Sequence, residues 1–202
     1  MRMNDMQIEV EKVLQGIDNA RRAGFTTIKV NMVVQKHINE DNILPMARYF
    51  KNSNIILRFI EYMDVGNTNG WNMDQVVSGR EIVQIINQEL PIEPLDPNYR
   101  GEVAKRWRYQ DGEGEIGLIT SVTDAFCGDC NRMRLSAEGS LFTCLFASRG
   151  TDLRRLLREH AGDEYISEVI ASTWKERSDR YSEQRGYAEQ PVHKVEMSYI
   201  GG

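Results

Sequence analysis

The chain has 202 residues, 41% of them hydrophobic and 27% charged, with 25 lysines and arginines against 30 aspartates and glutamates. The net charge of −5 argues against a general nucleic-acid binder, which would be basic as a whole, but allows a local pocket for a small anion. No apolar run is long enough to span a bilayer, and the opening "MRMNDMQIEVEK" lacks an apolar signal segment. The sequence therefore predicts a cytoplasmic protein that binds neither membrane nor nucleic acid.

Residues 7–23 predict an amphipathic helix, with Val10, Val13, Leu14, Ile17 and Ala20 at helical spacing and Gly24 as its stop. "TTIKVNMVV" (26–34) predicts a strand in which Ile28, Val30, Met32 and Val34 face one way and Lys29, Asn31 and Val33 the other. Asp41 is placed to cap a helix carrying Ile43, Met46, Ala47 and Phe50, and "NIILRFIEYM" (54–63) predicts the next strand. Ser78 and Glu81 form the pattern of a capping box ahead of Ile82, Val83, Ile85 and Ile86. This rhythm is that of parallel βα units, yet two strands alone make no stable sheet.

"PIEPLDPNYRG" (91–101) holds three of the five prolines and predicts a domain boundary, dividing the chain into 1–95 and 96–202. Beyond it, one hairpin is expected around "DGEG" and another around "AEGS". Thr151 is placed to cap a short helix with Leu153, Leu156 and Leu157, and a longer one at 163–177 carries Ile166, Val169, Ile170 and Trp174. "KERSDRYSEQRGYAEQ" (175–190) reads as a solvated helix end and loop.

The chemistry concentrates in "TDAFCGDCNRMRLSAEGSLFTCLFA" (123–147), which contains all three cysteines. Cys127 and Cys130 form a Cys-x-x-Cys turn, and Cys144 follows after thirteen residues. Structural zinc wants a fourth ligand, and neither His160 nor His193 has a persuasive spacing. A [4Fe–4S] cluster on three thiolates leaves one iron open and fits the number better. Three unliganded cysteines are the ordinary alternative. Arg132 and Arg134 share a side if extended, and two guanidiniums beside a metal suit phosphate oxygens. Lys29 and Arg58 sit mid-strand among apolar neighbours, where a cation either lines a cavity or pairs with a carboxylate such as Glu61.

The stretches "KVNMVV", "LRFIEYMDVGNTNGW", "GEIGLITSVTDAFCGDC", "CGDCNRMRL…FTCLFA" and the terminal "MSYIGG" together resemble the GTP 3′,8-cyclases. These are the radical S-adenosylmethionine family also called molybdenum cofactor biosynthesis protein A. The resemblance runs in order from about residue 7 to the last. It implies an α/β fold: the last βα units of an incomplete TIM-like (β/α) barrel in 1–95, then a C-terminal α+β iron–sulfur domain in 96–202. The implied reaction converts GTP to 3′,8-cyclo-7,8-dihydro-GTP, through a 5′-deoxyadenosyl radical that removes hydrogen from C3′. Cys127, Cys130 and Cys144 would hold the C-terminal [4Fe–4S] cluster, whose open iron accepts guanine. Lys29, Arg132, Met133 and Arg134 would contact GTP, and Arg58 would line the same pocket. Met63 would pack on S-adenosylmethionine, and the Gly201–Gly202 tail would enter the active site.

The resemblance also implies a homodimer and a downstream cyclic pyranopterin monophosphate synthase. The family's N-terminal triple-cysteine motif, which holds the S-adenosylmethionine cluster, has no counterpart in these residues, so a C-terminal portion needing a missing N-terminal barrel half is expected. His37 stands in a turn where the family usually has glycine. Two other functions remain open at this point: a non-catalytic module that binds the cluster and GTP, and a zinc-stabilised interaction domain.

Overall fold

The computed structural model describes residues 8–67, 69–185 and 194–200. These divide into two compact units: one comprises the residues up to Met63 together with Asn72–Ala125, the other Asp64–Trp71 and the residues from Phe126 on.

The first unit is an α/β sandwich. Helix α1 (Val10–Arg22) leads into strand β1 (Ile28–Val34), helix α2 (Ile43–Phe50), strand β2 (Ile55–Glu61) and helix α3 (Gly79–Asn87). Strands β3 (Ile92–Leu95), β4 (Lys105–Tyr109) and β5 (Glu115–Ile119) complete a five-stranded sheet in the order β1-β2-β5-β4-β3. β1, β2 and β5 run parallel, and β5, β4 and β3 antiparallel. The two strands of the βα rhythm thus find the rest of their sheet in the predicted "DGEG" hairpin. The alternation also holds: Val34, Leu57, Phe59, Ile116 and Leu118 turn into a core with Ile43, Ala47, Phe50, Ile82 and Ile86 from α2 and α3. On α1 the amphipathic pattern finds less cover, since none of its residues is fully buried and Val10 and Val13 are exposed.

Several local expectations change. Asp41 does not cap α2: a 3₁₀ turn at Glu40–Asn42 precedes the helix, and Asp41 instead accepts from the Asn42 side chain at 2.9 Å. The box at Ser78 and Glu81 forms as predicted, with Glu81 N–H donating to Ser78 Oγ at 3.2 Å and Ser78 N–H to Glu81 Oε2 at 2.8 Å. His37 takes the left-handed conformation (φ 63°), which explains why glycine would suit this turn, and its N–H donates to Glu40 Oε2 at 2.6 Å. The boundary predicted at 95/96 falls inside the first unit: β3 holds Pro94 on the edge of the sheet, where a missing N–H is tolerated, and the chain continues into β4 and β5.

The second unit carries a small antiparallel sheet of β6 (Arg134–Leu135), β7 (Ser140–Phe142) and β8 (Thr151–Asp152), then helices α4 (Leu153–Arg158), α5 (Asp163–Lys175) and α6 (Tyr181–Gln184). The cap of α4 is Asp152, which accepts from Arg155 N–H at 3.0 Å; Thr151, the predicted cap, pairs in β8 instead. Leu141, Leu153 and Leu156 form the core, with Met133, Ile166, Val169 and Ile170 against it. Among the described residues no helix is long and apolar enough to cross a membrane.

Candidate metal centre and anion-binding residues

The candidate residues are distributed over both units. In the first, strand alternation sets Lys29 and Arg58 on the face of the sheet away from the core; Lys29 is exposed and Arg58 half-buried. The register places Asn31 on one side of Arg58 and Gly117 on the other. A Cβ at position 117 would lie 3.0 Å from Arg58 Cγ and 3.1 Å from Ala104 Cβ, so glycine there leaves room for the arginine side chain. Arg58 Nε is buried with no hydrogen-bond partner among the described residues, an orphaned donor that a bound acceptor would satisfy.

The pairing of these cations with Glu61 is not what forms. Positions 58 and 61 lie on opposite faces, and Glu61 is 1% exposed on the core side. Its Oε1 accepts from Gly79 N–H at 2.8 Å and Thr123 Oγ1–H at 2.5 Å, and its Oε2 from the N–H groups of Val122 and Thr123 at 2.8 and 2.9 Å. That carboxylate ties the start of α3 and the loop after β5 to the end of β2. Met63, just beyond β2, is half-buried.

In the second unit Cys127–Asp129 makes a 3₁₀ turn closed by Cys130 N–H to Cys127 O at 3.3 Å, and Cys144 follows β7 with its Sγ accepting from Phe146 N–H at 3.4 Å. All three thiols are unbridged and half-buried. Burial pushes the Cys144 thiol up, with the negative charge of Asp179, Cys127 and Cys130 adding to it. Burial and the neighbouring Arg132 push the Arg134 guanidinium down, while the nearby Cys144 and Cys130 act the other way.

Among the described residues no three His, Cys, Asp or Glu side chains gather tightly enough to ligate one ion. An iron–sulfur cubane takes each thiolate on a different iron, so it spans a wider ligand triangle than a single ion does. Three soft sulfur donors in one unit, two of them near the cationic Arg134, fit such a centre.

Arg134 lies in β6 and Arg132 precedes the strand, with the exposed Arg132 guanidinium 5.3 Å over the Phe126 ring. Met133, between them, packs against the Leu141, Leu153 and Leu156 core. Gly201, Gly202 and His193 lie outside the described residues.

Sequence reasoning missed a second group in this unit. Buried Asp64 accepts from Lys194 Nζ at 2.6 Å, Arg185 Nε at 2.9 Å and the Tyr181 hydroxyl. Asn67 pairs with the Lys194 backbone in both directions, Nδ2–H to Lys194 O at 2.6 Å and Lys194 N–H to Oδ1 at 3.0 Å. Gly66, at φ +63°, leaves space for Glu196, whose Oε2 would be 2.2 Å from any Cβ there. The Phe146 ring stacks on Tyr181 at 4.6 Å, and Val195 N–H donates to Ala147 O at 3.0 Å. The segment 64–67 therefore grips the chain at 194–196 beside the Cys144 loop. The charged residues in "EYMDVGNTNGW" were visible, but their partners lie far along the chain.

Residues 55–183 match the family model described as Molybdenum Cofactor Synthesis C. The chain belongs to that family. Relatives named GTP 3′,8-cyclase match along nearly all of its length. The one from Acidothermus cellulolyticus is 46% identical over 226 residues, covering 100% of this chain and 62% of its own. That of Xanthomonas campestris pv. campestris is 46% identical over 194 residues (96% and 57%), and that of a Synechococcus species 48% over 198 residues (96% and 56%). The chain thus spans roughly six-tenths of the length of the curated relatives it matches. The Molybdenum Cofactor Synthesis C match runs from β2 into α6 and takes in the three cysteines, Arg132 and Arg134, while Lys29 precedes it.

Proposed function

We propose that the chain supplies the substrate-binding part of a GTP 3′,8-cyclase, which makes 3′,8-cyclo-7,8-dihydro-GTP for molybdenum cofactor biosynthesis. The observation that carries this reading is that Cys127, Cys130 and Cys144 lie in one unit, with Cys130 and Cys144 near the half-buried Arg134, in a chain whose relatives bear that enzyme's name. The three thiolates hold a [4Fe–4S] cluster. When bound, the cluster would offer one iron without a protein ligand as a Lewis-acidic anchor for guanine. Arg132 and Arg134 bind the triphosphate by charge-assisted hydrogen bonds, and Met133, held against the leucine core, contacts the nucleotide between them. Lys29 and Arg58, on the first unit's sheet face away from its core, are assigned to GTP binding, and the orphaned Arg58 Nε supports that role.

The first unit is read as the last βα units of a partial barrel, supported by parallel β1, β2 and β5 with core helices on one face. Met63 packs on S-adenosylmethionine. Radical generation calls for a further triple-cysteine segment, and these 202 residues contain three cysteines in all. We therefore assign the chain to act with such a segment, as a homodimer, and to hand its product to the cyclic pyranopterin monophosphate synthase.

Anaerobic treatment with iron and sulfide is expected to give equal amounts of bound iron and sulfide and broad visible absorption. The loaded chain is expected to bind GTP, and Arg134→Ala to weaken that binding by about 2 kcal/mol, roughly thirtyfold. No bound iron would remove the cluster from this reading, and unchanged GTP affinity would remove the role of Arg134. Zinc retained through anaerobic iron treatment would favour the zinc-stabilised domain. A folded, loaded chain that makes no cyclised GTP when given the triple-cysteine segment would leave only the binding module.

A further inference from the structure

The polar run after α5 reads in the sequence as a solvated helix end, but its side chains reach all three cysteine segments. Arg177 is only 12% exposed at its side chain. Its Nη1–H donates to Cys130 O at 2.5 Å and its Nη2–H to Cys127 O at 2.9 Å, so one planar guanidinium spans both residues of the Cys-x-x-Cys turn. The Trp174 ring lies 4.8 Å from that guanidinium and backs it. Two residues on, Asp179 Oδ2 sits 3.9 Å from Arg177 Nε and accepts from the Thr143 hydroxyl, next to Cys144. On α6, Glu183 Oε1 accepts from Gly128 N–H at 3.3 Å, between the two cysteines of the turn.

We propose that Arg177 and Asp179 are positioning residues of the metal centre: Arg177 fixes the separation of Cys127 and Cys130, and Asp179 ties the Cys144 segment to the same bracket. What is positioned rests on the cluster reading given above; the bracket itself is formed by this chain alone. The two residues touch the backbone carbonyls and a neighbouring hydroxyl, not the thiols, so they set where the thiolates point. Partners that orient metal ligands in this way are typically worth tenfold to a hundredfold in metal affinity. Arg177 also places a positive charge beside an anionic centre. Net charge and nearby donors tune the reduction potential of such a centre, and a cation stabilises the reduced, more negative state. Lysine at this position keeps the charge but has no fork to bond two carbonyls at once.

The test uses the full 202-residue chain as wild type, Arg177→Lys, Arg177→Met and Asp179→Asn, each checked for folding by far-ultraviolet circular dichroism. In the metal-free chain, amide hydrogen exchange followed by mass spectrometry reads the bracket directly. Exchange over 127–131 is expected to speed up on the order of tenfold in Arg177→Met and to remain fast in Arg177→Lys; in Asp179→Asn the change is expected over 143–145. After anaerobic loading with iron and sulfide, Arg177→Met is expected to lose iron to a chelator on the order of tenfold faster than wild type. Its midpoint potential is expected to fall, and Arg177→Lys to recover most of the potential without recovering the exchange protection.

Wild-type exchange, iron loss and potential in a folded Arg177→Met chain would overturn the proposal. If the wild type takes up no iron, the cluster reading fails, and the metal-free exchange decides whether the bracket exists. If Arg177→Met does not fold, Arg177→Lys and Asp179→Asn carry the same measurements.

Discussion

The two units are held together by different means. In the first, the inward faces of β1, β2 and β5 close on α2 and α3, and Leu57, Phe59, Ile43, Ile82 and Ile86 are almost fully buried. Each such side chain contributes about 1.5–3 kcal/mol relative to exposure. The second unit encloses a few leucines at Leu141, Leu153 and Leu156, and much of the rest hangs on polar groups: Asp64 with Lys194, Arg185 and Tyr181, and Arg177 on the cysteine turn. A core of apolar side chains tolerates small shifts, because dispersion and solvent exclusion are non-directional. A buried carboxylate holding two cations does not, because removing one partner strands the others. The difference teaches where paired charges reside: the unit that carries the thiols holds two cations on the buried carboxylate of Asp64, whereas the buried carboxylate of the first unit, Glu61, accepts only from backbone N–H groups and a hydroxyl.

The largest expected effects compare the two means directly. Asp64→Ala leaves Lys194 and Arg185, each 9% exposed at its side chain, without their carboxylate, and is expected to cost about 3–5 kcal/mol. Phe59→Ala opens the first core at a cost of about 3–5 kcal/mol. Segment-resolved hydrogen exchange should localise the losses, with Asp64→Ala deprotecting the Cys144 loop and residues 194–200 while β2 stays protected, and Phe59→Ala doing the reverse. Equal deprotection of both units by either variant would refute the division of labour.

Much of the first unit was legible because its signals are local. Strand alternation at 28–34 and 55–61 and the box at Ser78 and Glu81 need no knowledge of distant residues. The errors fall where a neighbour one residue away competes for a local role, as Asp152 does with Thr151 and the Glu40–Asn42 turn with Asp41. They also fall where prolines signal a break that an edge strand absorbs, at β3. In the second unit the cysteines and Arg134 stand out by type and spacing, but their supports do not. Arg177 bonds to residues 47 and 50 positions earlier, and Asp64 to one 130 positions later. Polar side chains carry no periodicity that announces such partners, so 177–185 looked like solvent-facing chain.

Acidification gives a smaller effect with a defined sign. Burial alone would push the Asp64 carboxyl up, but hydrogen bonds from Lys194 and Tyr181 and the charges of Arg185 and Lys194 outweigh it and hold the carboxyl below its ordinary value. Its folded-state pKa is therefore depressed, so the stabilisation is fully present above the unfolded value of about 4 and is lost as pH falls through the folded value. Thermal melts followed at the second unit should show falling stability below about pH 4. In Asp64→Asn that acid-side slope should shrink, since the titrating group is gone. An unchanged slope would assign the acid sensitivity to other carboxylates.

The smallest expected effect on stability is at Gly117, and it separates packing from function within the first unit. An added methyl there would press on Arg58 Cγ at 3.0 Å and Ala104 Cβ at 3.1 Å. The arginine is flexible, but Ala104 is buried, so Gly117→Ala is expected to cost about 1–3 kcal/mol. Its functional consequence is read at Arg58, because the added methyl displaces the arginine at its Cγ. GTP affinity of the iron-loaded chain, measured by calorimetry, is then expected to drop on the order of fivefold, the loss of about one hydrogen bond. Arg58→Ala should drop it at least as far, with a thermal midpoint close to wild type. If both variants bind GTP as tightly as the wild type, Arg58 is not a nucleotide ligand, and its orphaned Nε needs another acceptor.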